Sequence, residues 1–283
     1  MKKALWWAAA LITSTGCSKL STIPYPGQTP ETWCVNHHCV NIDLGFTQFV
    51  LSTPTSSFFV YFLGIMTIAI GIYFLKTRGS EQSRLWWGIA LLFWGAGAIV
   101  AGTSYQAFSY EIKCAGKSFC SWTSWWEIFY LLFSTLSMNT ILIAVSHSST
   151  QGLLKKILCG YALVNTMVYS VLCLYGAFVA DTFLVSFELM ILFTGPNFII
   201  LTAINLKNYL KEKAPLEGTL LSTWLLMAVV MILYYSYLLS GFGQSLWQKG
   251  IWFSANDVLH IALIFWMIFI YKKIGKQAKD TEK

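Results

Sequence analysis

Three ionisable residues lie deep inside apolar stretches of this chain: Glu188, Asp257 and His260. Asp257 and His260 are three residues apart and Asn256 and His260 are four apart, so on a helix these three share one face. A carboxylate beside an imidazole can orient and polarise the ring for acid or base catalysis, or the two can share a metal ion with Glu188. Equally, Asp257 and His260 can satisfy each other and tie helices together.

Further polar residues are predicted on the same side of a membrane. Glu188 and Asp257 each lie about 9 Å from the outer end of a predicted helix, because a helix rises about 1.5 Å per residue. An acidic side chain at the centre of a bilayer costs about 2.5–3.5 kcal/mol, so these groups are expected to face a partner or a water-filled cavity. We therefore predict a polar pocket that opens outward. Beside Asp257 and His260 it is predicted to contain Tyr105, Gln106, Glu127, Glu188 and Asn256.

Seven apolar stretches must position these residues. Each is close to the roughly 20 residues with which a helix crosses about 30 Å of hydrocarbon, and none alternates in polarity as barrel strands do. Of all residues 56% are hydrophobic and 11% are charged, against about 25% charged in soluble domains. The chain is predicted to be an all-α, polytopic membrane protein with a seven-helix bundle over 56–271. The predicted spans are 57–76, 85–106, 125–146, 154–178, 182–204, 218–240 and 251–271.

The amino-terminal end indicates export. Residues 1–17 contain a basic start, a short apolar run and small residues before Cys17, which resembles a bacterial lipoprotein signal in which Cys17 is acylated. Plain signal cleavage and an uncleaved anchor are the alternatives. Residues 18–55 are polar and rich in proline, and we expect an exported, loop-rich segment there.

The basic residues indicate the same orientation independently. With the amino-terminal segment outside and the carboxyl terminus in the cytoplasm, thirteen Lys and Arg fall on the inner side and four on the outer side. This is the asymmetry of the positive-inside rule. Residues 272–283 then form a basic cytoplasmic tail. We expect a multi-pass protein of the bacterial inner membrane.

Cysteine placement agrees with this topology. Four cysteines fall on the predicted outer side, where disulfides persist. They can pair as two local loops or as a bridge from the amino-terminal segment to the loop between the second and third spans. His37 and His38 lie within the first pair and suggest a metal clip, but a disulfide loop is favoured in an oxidising compartment. The four cysteines are Cys34, Cys39, Cys114 and Cys120.

Several classes of function do not fit the sequence. The basic residues occupy short gaps between apolar runs and do not form the basic, aromatic-interleaved surface of a nucleic-acid-binding protein. A haem held between helices usually needs two facing histidines, and His260 is the one deep histidine. The sequence has no phosphate-binding glycine loop followed by Lys-Ser or Lys-Thr.

Two sets of uncharged residues are predicted to have structural roles. Asn139, Asn165 and Asn197 lie inside predicted spans, where amide side chains commonly form hydrogen bonds between helices. Trp247 and Trp252 lie at predicted helix ends, where the amphipathic indole ring anchors a helix at the level of the lipid headgroups.

Two short motifs carry a family resemblance. The second span ends in AGTSYQAF (101–108), and the seventh contains NDVLH (256–260). In placement these resemble the superfamily of alkaline ceramidases and progestin and adiponectin receptors. Its seven-helix members carry a Ser and a His near the end of the second helix, an Asp on the third and a His-x-x-x-His on the seventh, which hold zinc for lipid amide hydrolysis.

The metal ligands of that superfamily are incomplete here. Gln106 stands where a His is expected, Asn256 replaces the first His of the last pair, and no acidic residue follows Glu127 in the third span. Catalytic zinc needs about three protein ligands, and only His260 carries over directly. Asp257 or Glu188 would have to complete the set. The resemblance therefore implies an altered or lost zinc site more than ceramidase activity.

Two hypotheses of different class follow. The favoured one is a receptor-like or structural membrane protein that binds a lipid or small polar ligand from the outer side, since the metal ligands are incomplete. The alternative is a membrane-embedded hydrolase, with or without metal, in which Asp257 and His260 activate water and Glu188 assists. A channel or transporter would be indicated by paired broken helices, and the sequence lacks them.

Overall fold

The computed structural model describes residues 19–281. Within them, seven helices are long and apolar enough to cross a membrane, and the predicted all-α, multi-pass architecture is confirmed. The predicted export signal with Cys17 lies outside the described residues. In chain order the helices are α1 (Pro30–Asn36), α2 (Pro54–Lys76), α3 (Gln82–Ala101), α4 (Ser109–Lys113), α5 (Trp125–Ser149), α6 (Gly152–Val179), α7 (Phe187–Glu212), α8 (Pro215–Ser240), α9 (Phe242–Trp247) and α10 (Ala255–Gln277); the seven long ones are α2, α3, α5, α6, α7, α8 and α10.

The two ends of the bundle are built differently. One end carries residues 19–53 and 108–124, which pack together and are called the cap below. The other end carries the last described residues, 278–281, and is called the tail end. The predicted orientation, with the cap outside and the tail end in the cytoplasm, stays a prediction.

The cap contains more regular structure than the loop-rich segment predicted for it. Besides α1 it has two antiparallel strands, β1 (Cys39–Asp43) and β2 (Gln48–Ser52), in the register that pairs Cys39 with Ser52. Trp33 is buried against the disulfide between Cys114 and Cys120. A main-chain bond from the Tyr25 N–H to the Cys120 carbonyl, 2.7 Å, joins the two parts of the cap.

Both disulfides close local loops. Cys34 pairs with Cys39 and Cys114 with Cys120, so the first of the two predicted arrangements is confirmed and the bridge between the two parts of the cap is wrong. Hydrogen bonds and the small core around Trp33 join those parts instead.

Glycines bring α2 and α3 into backbone contact. A Cβ atom added at Gly95 would lie 2.7 Å from the Gly64 carbonyl oxygen, and one added at Gly88 would lie 3.1 Å from the Gly71 oxygen. Small residues at such crossings allow close van der Waals packing, which drives helix association where lipid removes the usual hydrophobic advantage. The backbones of α2 and α3 therefore pack closely at these two crossing points.

Three amides connect α5, α6 and α7 inside the bundle. The Asn139 amide donates to Asn165 over 3.0 Å, the Asn197 amide donates to Asn139 over 2.8 Å, and Asn165 also donates to the Phe193 carbonyl. The predicted role of these residues as bonds between helices is confirmed.

The predicted basic tail begins within a helix, since α10 continues to Gln277. Beyond it, the carboxylate of Asp280 accepts bonds from the main-chain N–H groups of Gln82 and Ser83 at 2.8 and 2.7 Å, and so caps α3. Partial burial works against the charge of Asp280, but these bonds outweigh it and hold the pKa of the carboxyl below its ordinary value. The end of the chain is therefore docked on the bundle.

Two predicted spans begin later than hydropathy indicates. The predicted fifth span starts at 182, but α7 starts at Phe187 after the N-cap Ser186. The predicted seventh starts at 251, but α10 starts at Ala255 after the N-cap Ser254. Glu188 and Asp257 therefore lie in the first turn of their helices, and the predicted depth of about 9 Å is wrong for both.

Candidate functional site

A pocket of about 310 Å³ opens at the cap end of the bundle. It lies between the start of β1, the start of α2, the α8–α9 corner and the start of α10. It is called the cap pocket below. The lining residues that define its chemistry are His38, Ser56, Tyr237, Trp247, Trp252 and Asp257.

Asp257 lines the cap pocket as its one acidic residue and is fully buried. The Ser254 N–H donates to its Oδ2 and the Asp257 N–H donates to the Ser254 hydroxyl, which forms a capping box at the start of α10. The Ser254 hydroxyl also donates to Oδ2 over 2.8 Å. From α2, the Ser56 hydroxyl donates to Oδ1 over 3.0 Å. One carboxylate thus joins α2 to α10, and each of these donors is neutral.

Aromatic rings form a wall of the cap pocket. The His38 ring stacks on Trp252 with centroids 4.1 Å apart, and Trp247 meets Trp252 edge to face at 3.7 Å. The Tyr237 hydroxyl donates to the Phe253 carbonyl over 2.8 Å and fixes that ring beside the opening. Trp247 and Trp252, predicted as interface anchors, are therefore also pocket residues.

His38 brings an unused polar atom to this wall. Its Nδ1 is buried and has no hydrogen-bond partner within residues 19–281. Burial lowers the pKa of the imidazole, so the ring is neutral at pH 7. His37, its neighbour, turns away and stacks on Trp33, so the two histidines do not form the metal clip, and the favoured disulfide between Cys34 and Cys39 is present.

The backbone at the pocket rim is strained. Thr53 lines the pocket and has φ 43°, in the left-handed region that a β-branched residue rarely adopts. Its side chain makes no capping bond to α2, and its hydroxyl has no partner in the described part of the chain. Strain of this kind is concentrated at functional sites.

An apolar groove of about 530 Å³ runs between α8 and α10 beneath the cap pocket. Phe253 lines both spaces, which places them side by side. Leu226, Val229 and Leu233 line the α8 side, and Phe265 is among the α10 residues opposite. Several of these side chains are exposed on the bundle surface, where lipid would meet them. The polar pocket and the groove together form an amphipathic cleft.

Most of the predicted pocket residues lie elsewhere. Glu188 is exposed at the start of α7, and Asn256 does not line the cap pocket. Glu127 lies in a separate closed cluster: it pairs with Lys113 at 2.6 Å and accepts a bond from the Ser104 hydroxyl at 2.7 Å, with both charged side chains no more than 3% exposed. Of the predicted set, only Asp257 lines the cap pocket.

Tyr105 and Gln106 lie next to the closed cluster of Glu127 and Lys113. Both lie in a six-residue π-helical turn, Gly102–Ala107, that continues α3 and directs Ser104 toward Glu127. Gln106 is buried, and the Lys113 ammonium lies 5.0 Å from the Tyr105 ring. A π turn often marks a functional site, but here the charges that it faces are already paired.

The predicted Asp257–His260 dyad is not formed. His260 lies one turn below Asp257 and is buried, but its Nδ1 has no partner and no hydrogen bond links the two residues among residues 19–281. The mutual hydrogen bonding of these side chains is therefore not present in the structure, and their catalytic role stays a prediction. The predicted metal set fails as well, since no three His, Cys, Asp or Glu side chains of the described residues are placed to hold an ion. The residues present do not fit the zinc of the resembling superfamily.

One feature of the pocket is marked in the sequence and another is not. Ser254 and Asp257 have the spacing of a capping box, which marks the true start of α10. His38 stands beside Cys39 in the cap, but its contact with Trp252 joins residues more than two hundred positions apart. No local pattern predicts such a contact.

Residues 56–279 match the model of a family described as a family of unknown function, DUF6962. The chain belongs to the DUF6962 family. The matched segment includes Ser56, Ser254 and Asp257, whereas His38 and most of the cap precede it. No curated protein and no solved structure matches the chain. The DUF6962 description assigns no activity, so the cap pocket itself is the guide to function.

Proposed function

We propose that this membrane protein binds a lipid in the amphipathic cleft at its cap end and acts as a receptor-like or structural protein. The headgroup occupies the cap pocket, and an acyl chain lies in the groove between α8 and α10. The observation that carries the proposal is the junction at Phe253, where a polar, aromatic pocket meets an apolar groove. Small-molecule sites commonly measure about 300–1,000 Å³, and both spaces fall in that range.

The proposal includes the orientation with the cap outside. Two disulfides in the cap support an oxidising compartment, and the excess of Lys and Arg at the tail end supports a cytoplasmic location there. The cleft then opens toward the outer leaflet. A reporter fused after Lys283 is expected to be active only in a cytoplasmic form, and activity of an exported reporter at that position would contradict the orientation.

The alternative, a hydrolase, has less support from the geometry. Asp257 accepts its bonds from two serines, and His260 is not joined to it. A general base must lie within hydrogen-bond reach of the proton that it takes, and the cap pocket lining does not include His260. The resemblance to ceramidases and the adiponectin receptor superfamily stays a prediction.

A pair of matched variants tests the lipid proposal. Val229→Trp places a large ring in the groove, and Val171→Trp makes the same change on α6, where the side chain is also exposed. The lipid retained by each purified variant is measured by native mass spectrometry. We expect Val229→Trp to lose most of the retained lipid and Val171→Trp to keep the wild-type amount. Equal retention in both variants would contradict lipid binding in this groove.

A further inference from the structure

We infer that the cap pocket selects a headgroup that ends in an ammonium, either a primary amine or a quaternary ammonium. The inference rests on the proposed lipid-binding function and specifies its ligand class. It is carried by the charge of Asp257 and by the aromatic wall beside it. Both features line the same pocket: Asp257 lies at the start of α10, Trp247 and Trp252 shortly precede it, and Tyr237 comes from α8.

The first step is the charge balance at Asp257. The carboxylate is fully buried, and no ion pair reaches it in the part of the chain that the structure describes. Glu127, the other buried acid at this end, is paired with Lys113 at 2.6 Å. A buried charge without a counter-ion is unfavourable unless something compensates it. Asp257 receives hydrogen bonds from neutral donors but no counter-ion, and a cationic ligand would supply one.

The second step is the set of hydrogen bonds that the Asp257 carboxyl group accepts. Two hydroxyl groups and one main-chain N–H donate to its oxygens, and bonds of this kind stabilise a carboxylate. Asp257 also lies in the first turn of α10, where the helix dipole favours negative charge. The pocket lining contains no Lys or Arg beside this acid.

The third step is the aromatic wall. Trp247, Trp252 and Tyr237 line the same pocket as Asp257, and Trp is the ring that attracts a cation most strongly. Aromatic cages built from such rings recognise quaternary ammonium groups. His38 is neutral because burial lowers its pKa, so its stacking on Trp252 adds no positive charge to repel the ligand.

A competition between headgroups tests the inference in the full-length protein. Phosphatidylcholine, phosphatidylethanolamine and phosphatidylglycerol with identical acyl chains are titrated and counted by native mass spectrometry. We expect the two ammonium lipids to bind about 10- to 100-fold more tightly than phosphatidylglycerol, the range for an interaction with a charged group. Choline chloride is expected to displace them. Equal affinity of all three lipids would overturn the inference.

Asp257→Asn removes the charge while keeping an acceptor for the serines, and is expected to abolish the preference. Asp181→Asn is the matched control, because Asp181 also caps a turn at this end, through the Leu184 N–H at 2.9 Å, but is exposed and outside the pocket. If Asp257→Asn does not fold, Trp252→Leu decides: a preference that survives in either folded variant refutes the ammonium site.

The two proposals fail in different ways. If Val229→Trp lowers lipid retention but the wild type does not distinguish the headgroups, the ammonium site is wrong and the lipid cleft stands. If Val229→Trp retains as much lipid as wild type and the headgroup has no effect on binding, the proposed function itself is wrong.

Discussion

Replacing Lys113 by Met should destabilise the protein strongly, because it leaves a buried carboxylate without its cation. The Lys113 ammonium lies 2.6 Å from Glu127, and the side chains are 3% and 2% exposed. At an effective dielectric constant of about 20, two unit charges at this distance attract by roughly 6 kcal/mol, most of which offsets the removal of both from water. Breaking a buried pair on one side typically costs about 3–5 kcal/mol. We expect Lys113→Met to lower the free energy of unfolding by that amount.

Removing both charges should be far less harmful. In the double variant Lys113→Met and Glu127→Leu, no charge is left buried, and the Ser104 and Ser124 hydroxyls still bond to each other at 2.9 Å. A buried ion pair replaced by apolar groups is often neutral in stability. The double variant is therefore expected to unfold closer to wild type than the single variant does.

The assay is the free energy of unfolding in detergent, obtained by titration with sodium dodecyl sulfate. Lys249→Met is the matched control, because Lys249 is exposed and makes no ion pair in the described residues. The free energy of unfolding of Lys249→Met should lie within about 0.5 kcal/mol of the wild-type value. A Lys113→Met variant no less stable than Lys249→Met, or a double variant as unstable as the single one, would refute the reasoning.

Further predictions concern packing, strain and pH. Gly95→Ala should lower the free energy of unfolding by about 1–3 kcal/mol through overpacking, whereas Gly160→Ala, with open space at its Cβ, should raise it by up to about 1 kcal/mol; thermal unfolding of both variants measures the contrast. Thr53→Gly should raise stability by up to about 1 kcal/mol because it relieves the left-handed backbone, and an unchanged melting temperature would argue against strain. Asp280→Asn should lower the free energy of unfolding by about 0.5–2 kcal/mol at neutral pH, because the start of α3 loses its capping carboxylate. The lowered pKa of Asp280 stabilises the fold above the unfolded value of about 3.9, so the difference from wild type should shrink as the pH falls below about 4, and unfolding from pH 7 to pH 3 tests this.

The seven helices were predictable because hydropathy averages over about 20 residues, and lipid leaves the backbone few alternatives to a helix. The first residue of each helix was harder to predict, since an apolar segment can precede the N-cap residue. Residues 251–253 are apolar and outside α10, and Ser254 is what begins the helix. The same averaging placed Glu188 inside a span, although it lies exposed in the first turn of α7.

The pocket was predictable only in its chemistry. A buried acid in a membrane protein indicates a candidate functional site, and Asp257 does line a pocket. Its partners come from residues about two hundred positions away, such as Ser56, and the choice of a serine rather than His260 depends on how α2 packs on α10. The asparagine bonds between helices were predictable in kind for the opposite reason: an amide inside a bundle needs a partner whichever helix supplies it.

The two buried acids at the cap end show why residue type alone does not identify a site. Glu127 and Asp257 both open a long helix and both accept bonds from serine hydroxyls. Glu127 receives a lysine from the adjacent loop, and its cluster is closed to ligands. Asp257 receives only neutral donors and lines a pocket with tryptophans. The difference lies in charge compensation, and for that reason we propose a ligand-binding role for Asp257 and a stabilising role for Glu127.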